Sequence, residues 1–337
     1  MVRSLRQPKI VVVTGASAGV GRAAALAFAR LGADVALLAR DAEALEHVAS
    51  IARNHGVRAM PIAVDVSAAH EVEAAANRIE AELGPIDVWV NNAMVTVFSP
   101  VARMKPEEFA RVTEVTYLGY VWGTMAALER MSRRNKGVIV QVGSALAYRA
   151  IPLQSAYCGA KHAIRGFTDA LRCELLHEKS GVHVTMVQMP SLNTPQFDWA
   201  QSKMPGAPRP VAPIYEPEVA ARAIVWAATH RRRELYVGLP SIKAIVANKF
   251  IPGYLDRYLA KRSFAGQQRK SPTDPGHAVD LWKPVAGAHR LRGSFGAEAK
   301  SSSAALWLDT HRGTALGAAL ALGLVALLTR RRLASHA

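Results

Sequence analysis

The chain of 337 residues is half hydrophobic, enough to bury one large core, which excludes a disordered tail, a disulfide scaffold and a mini-protein. Its net charge of +16 is unevenly placed: residues 241–337 hold fifteen Lys and Arg against five Asp and Glu, or +10 of the total. A basic appendage of this kind reads as a solvated linker or an attraction to anionic lipid, so no nucleic-acid partner is expected.

In chain order, the N-terminus runs into a β-branched segment at Ile10. That leaves no room for a secretory apolar stretch and cleavage site, and the folded part is expected in the cytoplasm. From residue 9 to about 240, short β-branched runs alternate with Ala-rich amphipathic ones. The spacing predicts strands at 10–13, 35–38, 59–64, 88–90, 138–142, 182–187 and 235–237. Helices are expected near 20–31, 41–54, 68–83, 106–133, 155–178 and 217–230. Several strands are apolar throughout, as when helices cover both faces of a parallel sheet. Residues 1–240 are therefore expected to form one α/β domain with a doubly wound sheet of seven strands. Cys158 and Cys173 fall fifteen residues apart in one predicted helix, too far for a bridge and without metal-ligand spacing, so no metal is expected.

Beyond Gly238 the character changes. A helical extension is expected at 241–262, then a basic, Gly-, Pro- and Ser-rich flexible linker at 263–304, then a C-terminal apolar helix within 305–337. Residues 313–329 carry no charge and are followed by Arg330, Arg331 and Arg332. Seventeen residues sit at the lower length limit for a membrane span, and the expectation is an anchor to a bilayer or its surface, with a packing helix as the alternative.

The run Thr14-Gly15-Ala16-Ser17-Ala18-Gly19-Val20-Gly21 follows the first strand and opens the first helix. Glycines placed there let the backbone turn tightly and bring helix N-terminal amides to a pyrophosphate. At the end of the second strand, Ala39 stands where an acid would accept a ribose 2′-hydroxyl, and Arg40 follows with a guanidinium suited to a 2′-phosphate. NADP is thus expected over NAD. Asp65, closing the third strand, is expected at the adenine edge.

Tyr157 and Lys161 are one helical turn apart and share a face. A nearby ammonium stabilises a phenolate, making the phenol a usable proton donor or acceptor for hydride transfer to a ketone or from an alcohol. Ser144, ending the fifth strand, supplies a hydroxyl for a substrate oxygen.

With these motifs the sequence resembles a short-chain dehydrogenase/reductase over about residues 8–240. The glycine motif is Thr14 to Gly21, the Asn-Asn-Ala-Gly motif reads Asn91-Asn92-Ala93-Met94, and the Ser and Tyr-x-x-x-Lys motifs are Ser144, Tyr157 and Lys161. The resemblance implies a Rossmann fold, Tyr157 as general acid/base, Ser144 orienting the carbonyl or alcohol, and Lys161 lowering the tyrosine's pKa and holding the nicotinamide ribose. It further implies that Asn91 supports the cofactor, together with Gly15, Ser17, Gly19 and Gly21, that Thr194 meets the carboxamide, and that the chain is a homodimer or homotetramer. Three departures stand out: Thr116 occupies the family's catalytic Asn position, Met94 replaces a glycine, and the 190–195 loop has Ser191 for Gly. A Thr hydroxyl reaches less far than an amide and lacks its paired donor and acceptor, which bears on the proton relay.

Residues 193–215, with Phe197, Trp199 and Met204, are expected either to cover an apolar substrate or to pack their aromatics inward. The expected function is NADP-dependent hydride transfer at a carbonyl or alcohol of a moderately apolar small molecule or lipid. The alternative is a non-catalytic nucleotide-binding scaffold or sensor that kept the fold.

Overall fold

The computed structural model describes residues 7–272, 276–287, 290–314 and 317. Seven short segments form one parallel sheet: β1 (Ile10–Thr14), β2 (Asp34–Ala39), β3 (Ala59–Ala63), β4 (Val88–Asn91), β5 (Gly137–Ser144), β6 (Val182–Met189) and β7 (Glu234–Tyr236). Their order is β3-β2-β1-β4-β5-β6-β7, and every expected strand is present. Helices carry the crossovers: α1 (Gly19–Arg30), α2 (Ala42–Arg53), α3 (Ala69–Glu82), α4 (Pro106–Thr113), α5 (Gly119–Arg133), α6 (Ser155–His177) and α7 (Pro217–Thr229). A π-turn at Glu114–Leu118 joins α4 to α5. Cys158 and Cys173 are both free on α6.

Register places Val12 beside Ala36 and Trp89, and Trp89 beside Ile139. Because strand side chains alternate, Val11, Val13, Leu37 and Val90 enter one core with α1, α2 and α7. Val12, Leu38, Trp89 and Ile139 enter the other with α3, α5 and α6. Strand order reverses at β1 and β4, so the loops leaving their C-terminal ends diverge and open a crevice there.

Past Gly238 the structure corrects the sequence reading. The single extension becomes two helices, α8 (Leu239–Phe250) and α9 (Pro252–Gly266), because Pro252 drives Ile251 out of helical backbone. The described residues of 263–304, expected as a flexible linker, pack back over the sheet's C-terminal edge. Gln268–Pro272 pairs antiparallel with Gly206–Pro208, and Ala299–Lys300 pairs with Ile214–Tyr215. A further helix, α10 (Ala304–Thr310), closes on β7, where Asp309 accepts the Tyr236 amide at 2.8 Å. Few apolar residues do this packing: Leu281 and Phe295 are buried, and Leu306 joins the α1 core. Their scarcity among Gly, Ser and basic residues is what made the segment read as a linker.

The apolar stretch 313–329 lies outside the described residues except at 313, 314 and 317. Among the described residues no helix is long and apolar enough to cross a membrane.

Leu281 is 0% exposed. Leu281→Ala is expected to lower the unfolding free energy by about 2–4 kcal/mol in a urea titration. An unchanged midpoint would return this segment to the status of a linker.

Candidate active site

Thr14 ties the two diverging loops together: its hydroxyl donates to Val90 O (3.3 Å) and accepts the amides of Asn92 (2.9 Å) and Ala93 (3.1 Å). Gly15 then turns with φ +67°, and a Cβ there would lie 2.9 Å from Ala93 Cα. A Cβ on Gly21 would meet Gly15 O at 2.1 Å, so the start of α1 can rest on the loop only without side chains. The crevice beside this loop encloses about 1080 Å³ including its mouth. It brings together Gly15, Ser17, Gly19, Arg40, Asp65 and Thr194, and Met94 lines it as well. An open crevice at the N-terminus of α1 and at the sheet's switch point fits a dinucleotide.

At its far end, Asp41 caps α2 by accepting the Ala44 amide (3.0 Å). Arg40 reaches across to residues 240 positions away, donating to the carbonyls of Asp280 (2.5 Å) and Leu281 (3.4 Å). Asp65 accepts from Arg111 (2.5 Å) and from the Ser67 amide and hydroxyl (3.0 and 2.7 Å). Burial would push its carboxyl up, but these bonds hold it below the ordinary carboxylate range. Arg111, unforeseen from sequence, also donates to Leu281 O at 3.1 Å.

Asn91 is a correction. It is fully buried, donates to Thr124 and Gln141 at 3.0 Å each, and accepts from Trp89 at 2.9 Å. Adjacent strand residues face opposite ways, so Asn92 and not Asn91 lines the crevice.

On the other side of β4, Ser144 ends β5, where its hydroxyl accepts the Leu146 amide (3.1 Å), and it lies near enough to the Tyr157 phenol on α6 to favour the phenolate. Burial raises the Tyr157 phenol above its ordinary value, and Ser144 only partly offsets this. Lys161 is 2% exposed and donates to Val142 O (2.8 Å) and to Tyr120 Oη (3.0 Å). Burial brings its ammonium down to about 7, so near neutrality the lysine is only partly charged. The net shift of Tyr157 in the protein alone is therefore upward, against the lowering expected from Lys161.

Thr116 is fully buried in the π-turn, but its hydroxyl donates to Val95 O (2.9 Å) and accepts Val95 N–H (3.1 Å). Its one donor and one of its two acceptor sites are thus taken by a single backbone residue, which leaves it no proton to pass on in this arrangement. The group that Lys161 meets instead is Tyr120, one helical turn further on the same face. A buried polar ring four residues past Thr116 was the available sequence signal.

In the 193–215 segment Phe197 packs inward, 6.0 Å from Phe98 and 6.1 Å from Phe295 between ring centres. Trp199 faces the crevice.

The short chain dehydrogenase family profile matches residues 9–204. An "Uncharacterized oxidoreductase YxnA" of Bacillus subtilis (strain 168) is 31% identical over 328 residues, covering 96% of this chain and 91% of its own. "Epidermal retinol dehydrogenase 2" of Mus musculus is 30% identical over 273 residues, covering 78% and 87%. Among solved structures, an alcohol dehydrogenase from the archaeon Thermococcus sibiricus, complexed with 5-hydroxy-NADP, matches with a TM-score of 0.59 at 28% identity, covering 68% of this chain and 95% of that one. Fold, crevice and likenesses define an oxidoreductase acting on CH–OH groups with NAD(P). The chain belongs to the short-chain dehydrogenase/reductase family.

The buried lysine has a measurable cost. Between about 7 and its ordinary value of 10.5, the unfolded chain holds a proton that the folded chain has released, so its burden on stability is full below this window and fades as pH rises through it. Lys161→Met is expected to be more stable than the parent at pH 7, by something on the order of a few kcal/mol in unfolding free energy, and so to melt higher, with the advantage shrinking towards pH 10. A lower melting temperature at pH 7 would show that the two hydrogen bonds outweigh desolvation.

Proposed function

We propose that the protein is an NADP-dependent oxidoreductase that interconverts a carbonyl and an alcohol on a moderately apolar small molecule or lipid, with Tyr157 as general acid/base. The observation that carries this reading is the grouping of Ser144 and Tyr157 with a buried Lys161, whose ammonium lies 5.5 Å from the centre of the Tyr157 ring. The bound nicotinamide supplies or accepts the hydride. Ser144 holds the substrate oxygen, and Tyr157 delivers a proton to it during reduction. Burial keeps the phenol protonated at neutral pH, which suits the acid role and leaves the base role, needed for alcohol oxidation, to higher pH. Lys161, fixed by Val142 and Tyr120, positions itself under the Tyr157 ring at 5.5 Å from its centre. Gly15, Ser17 and Gly19 would hold the pyrophosphate, Thr194 the nicotinamide end, and Arg40 the 2′-phosphate. The homodimer or homotetramer implied by the family belongs to the same reading.

Membrane association through 313–329 is part of this proposal. The α8–α9 pair supports it by exposing Phe250 (78%) and Tyr254 (63%) among Lys243, Lys249, Arg257 and Lys261, an apolar and basic surface suited to anionic lipid.

Tyr157→Phe is expected to lower NADPH oxidation with a panel of aldehydes and ketones by about a hundredfold or more while cofactor affinity stays nearly intact. Retained turnover would place the chemistry elsewhere. If the parent binds nucleotide and reduces nothing in the panel, the scaffold alternative gains. Alcohol oxidation should rise with pH through the alkaline range, and carbonyl reduction should not.

A further inference from the structure

The adenosine end of the crevice contains a group that the second-strand reading did not include. Asp280 arrives from the C-terminal segment, its amide donating to Trp199 O (3.2 Å), and lines the crevice together with Arg40 and Asp65. Its Oδ1 is shielded from solvent and has no hydrogen-bond partner among the described residues. A shielded, unpartnered carboxylate oxygen costs free energy unless a donor reaches it. Asp65 across the crevice is held by Arg111 and Ser67, and Asp41 by the Ala44 amide, whereas Asp280 Oδ1 meets no donor among the described residues.

In dinucleotide folds an acid at this end accepts the ribose 2′-hydroxyl and repels a 2′-phosphate. Here the end of β2 carries Ala39, which cannot do this. Arg40, the partner of a 2′-phosphate, is already engaged by two backbone carbonyls of the same strap.

We infer that Asp280 is a cofactor-selecting residue, supplying from the C-terminal strap the acid missing after β2, so that its carboxylate favours NAD(H) and opposes the preference for NADP(H) that Arg40 confers. This rests on the crevice being the dinucleotide site and adds a counterweight to its expected NADP preference. Burial pushes the Asp280 carboxyl up to about 7 against the pull of Arg40, consistent with an acceptor short of donors. Because Arg40 binds main-chain carbonyls, replacing the Asp280 side chain leaves those bonds in place while removing its charge from beside Arg40.

The test is equilibrium binding of NADH and NADPH to the full chain by calorimetry, with 5′-AMP and adenosine 2′,5′-bisphosphate as probes of the adenosine end. Asp280→Asn should tighten NADPH and the bisphosphate while weakening NADH and AMP, moving the ratio of dissociation constants about tenfold towards the phosphorylated ligands, a change of about 1.4 kcal/mol. Asp280→Glu, which keeps the charge, should leave the ratio near the parent's, and melting curves of both variants establish that they fold. Equal shifts for both nucleotides, or none, in a folded Asp280→Asn protein overturn the assignment while the crevice stands. Failure of the parent to bind either nucleotide overturns the crevice reading, and this inference with it.

Discussion

A parallel sheet must be covered on both faces, and the order in which this chain covers them decides where everything else can sit. Successive crossovers from β1 build outward through β2 and β3 with α1 and α2 on one face. The chain then returns to β4 on the other side of β1 and builds through β5 to β7. The reversal leaves one gap between loops at the C-terminal edge, and Thr14 keeps that gap narrow by gripping β4. Gly15 and Gly21 follow from the same constraint, since the loop and α1 must pass each other at distances that admit no Cβ.

The C-terminal segment adds a further wall to this gap, and its basic charge is partly used to hold it there. Arg269 and Arg290 pair with Asp198 (2.7 and 3.4 Å), and Arg292 pairs with Glu216 and Glu218 (3.1 and 2.5 Å). Ion pairs as exposed as these contribute little each, so the attachment rests mainly on the buried Leu281, Phe295 and Leu306. The strap also places the Arg290 carbonyl on the Gly19 amide (3.2 Å). A dinucleotide drawing on Gly19 or Arg40 therefore exchanges bonds with the strap instead of gaining them outright, which makes the strap's hold a component of nucleotide affinity.

What was legible in the sequence follows the range of the interactions involved. Strands, crossover helices, the glycine loop and the Tyr157–Lys161 turn depend on neighbours within a few residues, and their periodicity announced them. Asn91 failed by a single position, because a strand reverses side-chain direction at each residue and the motif did not say which Asn faced the crevice. Arg111 and Asp280 were invisible for a different reason: each acts through a partner 46 to 240 residues away. Composition misled most where a few apolar residues fasten an otherwise polar length of chain, since an average over residues 263–304 hides Leu281 and Phe295.

At the corner of Ser144, Tyr157 and Lys161, local reading placed the side chains near one another but missed their balance. Spacing put Tyr157 and Lys161 on one face, and charge alone then argues for a lowered phenol. Burial acts on both groups at once, penalising the ammonium and the phenolate together, so each drifts towards its neutral form. Hydrogen bonds decide what remains: Ser144 supports the phenolate directly, whereas Lys161 donates to Val142 and Tyr120. Tyr120 in turn donates to the same Val142 carbonyl (3.1 Å), so a buried triangle of amine, phenol and carbonyl fixes the amine's direction while leaving its proton loosely held. A lysine kept in that state answers readily to any new charge or donor placed above Tyr157, which is the property an acid/base site needs and a purely structural core would have no reason to retain.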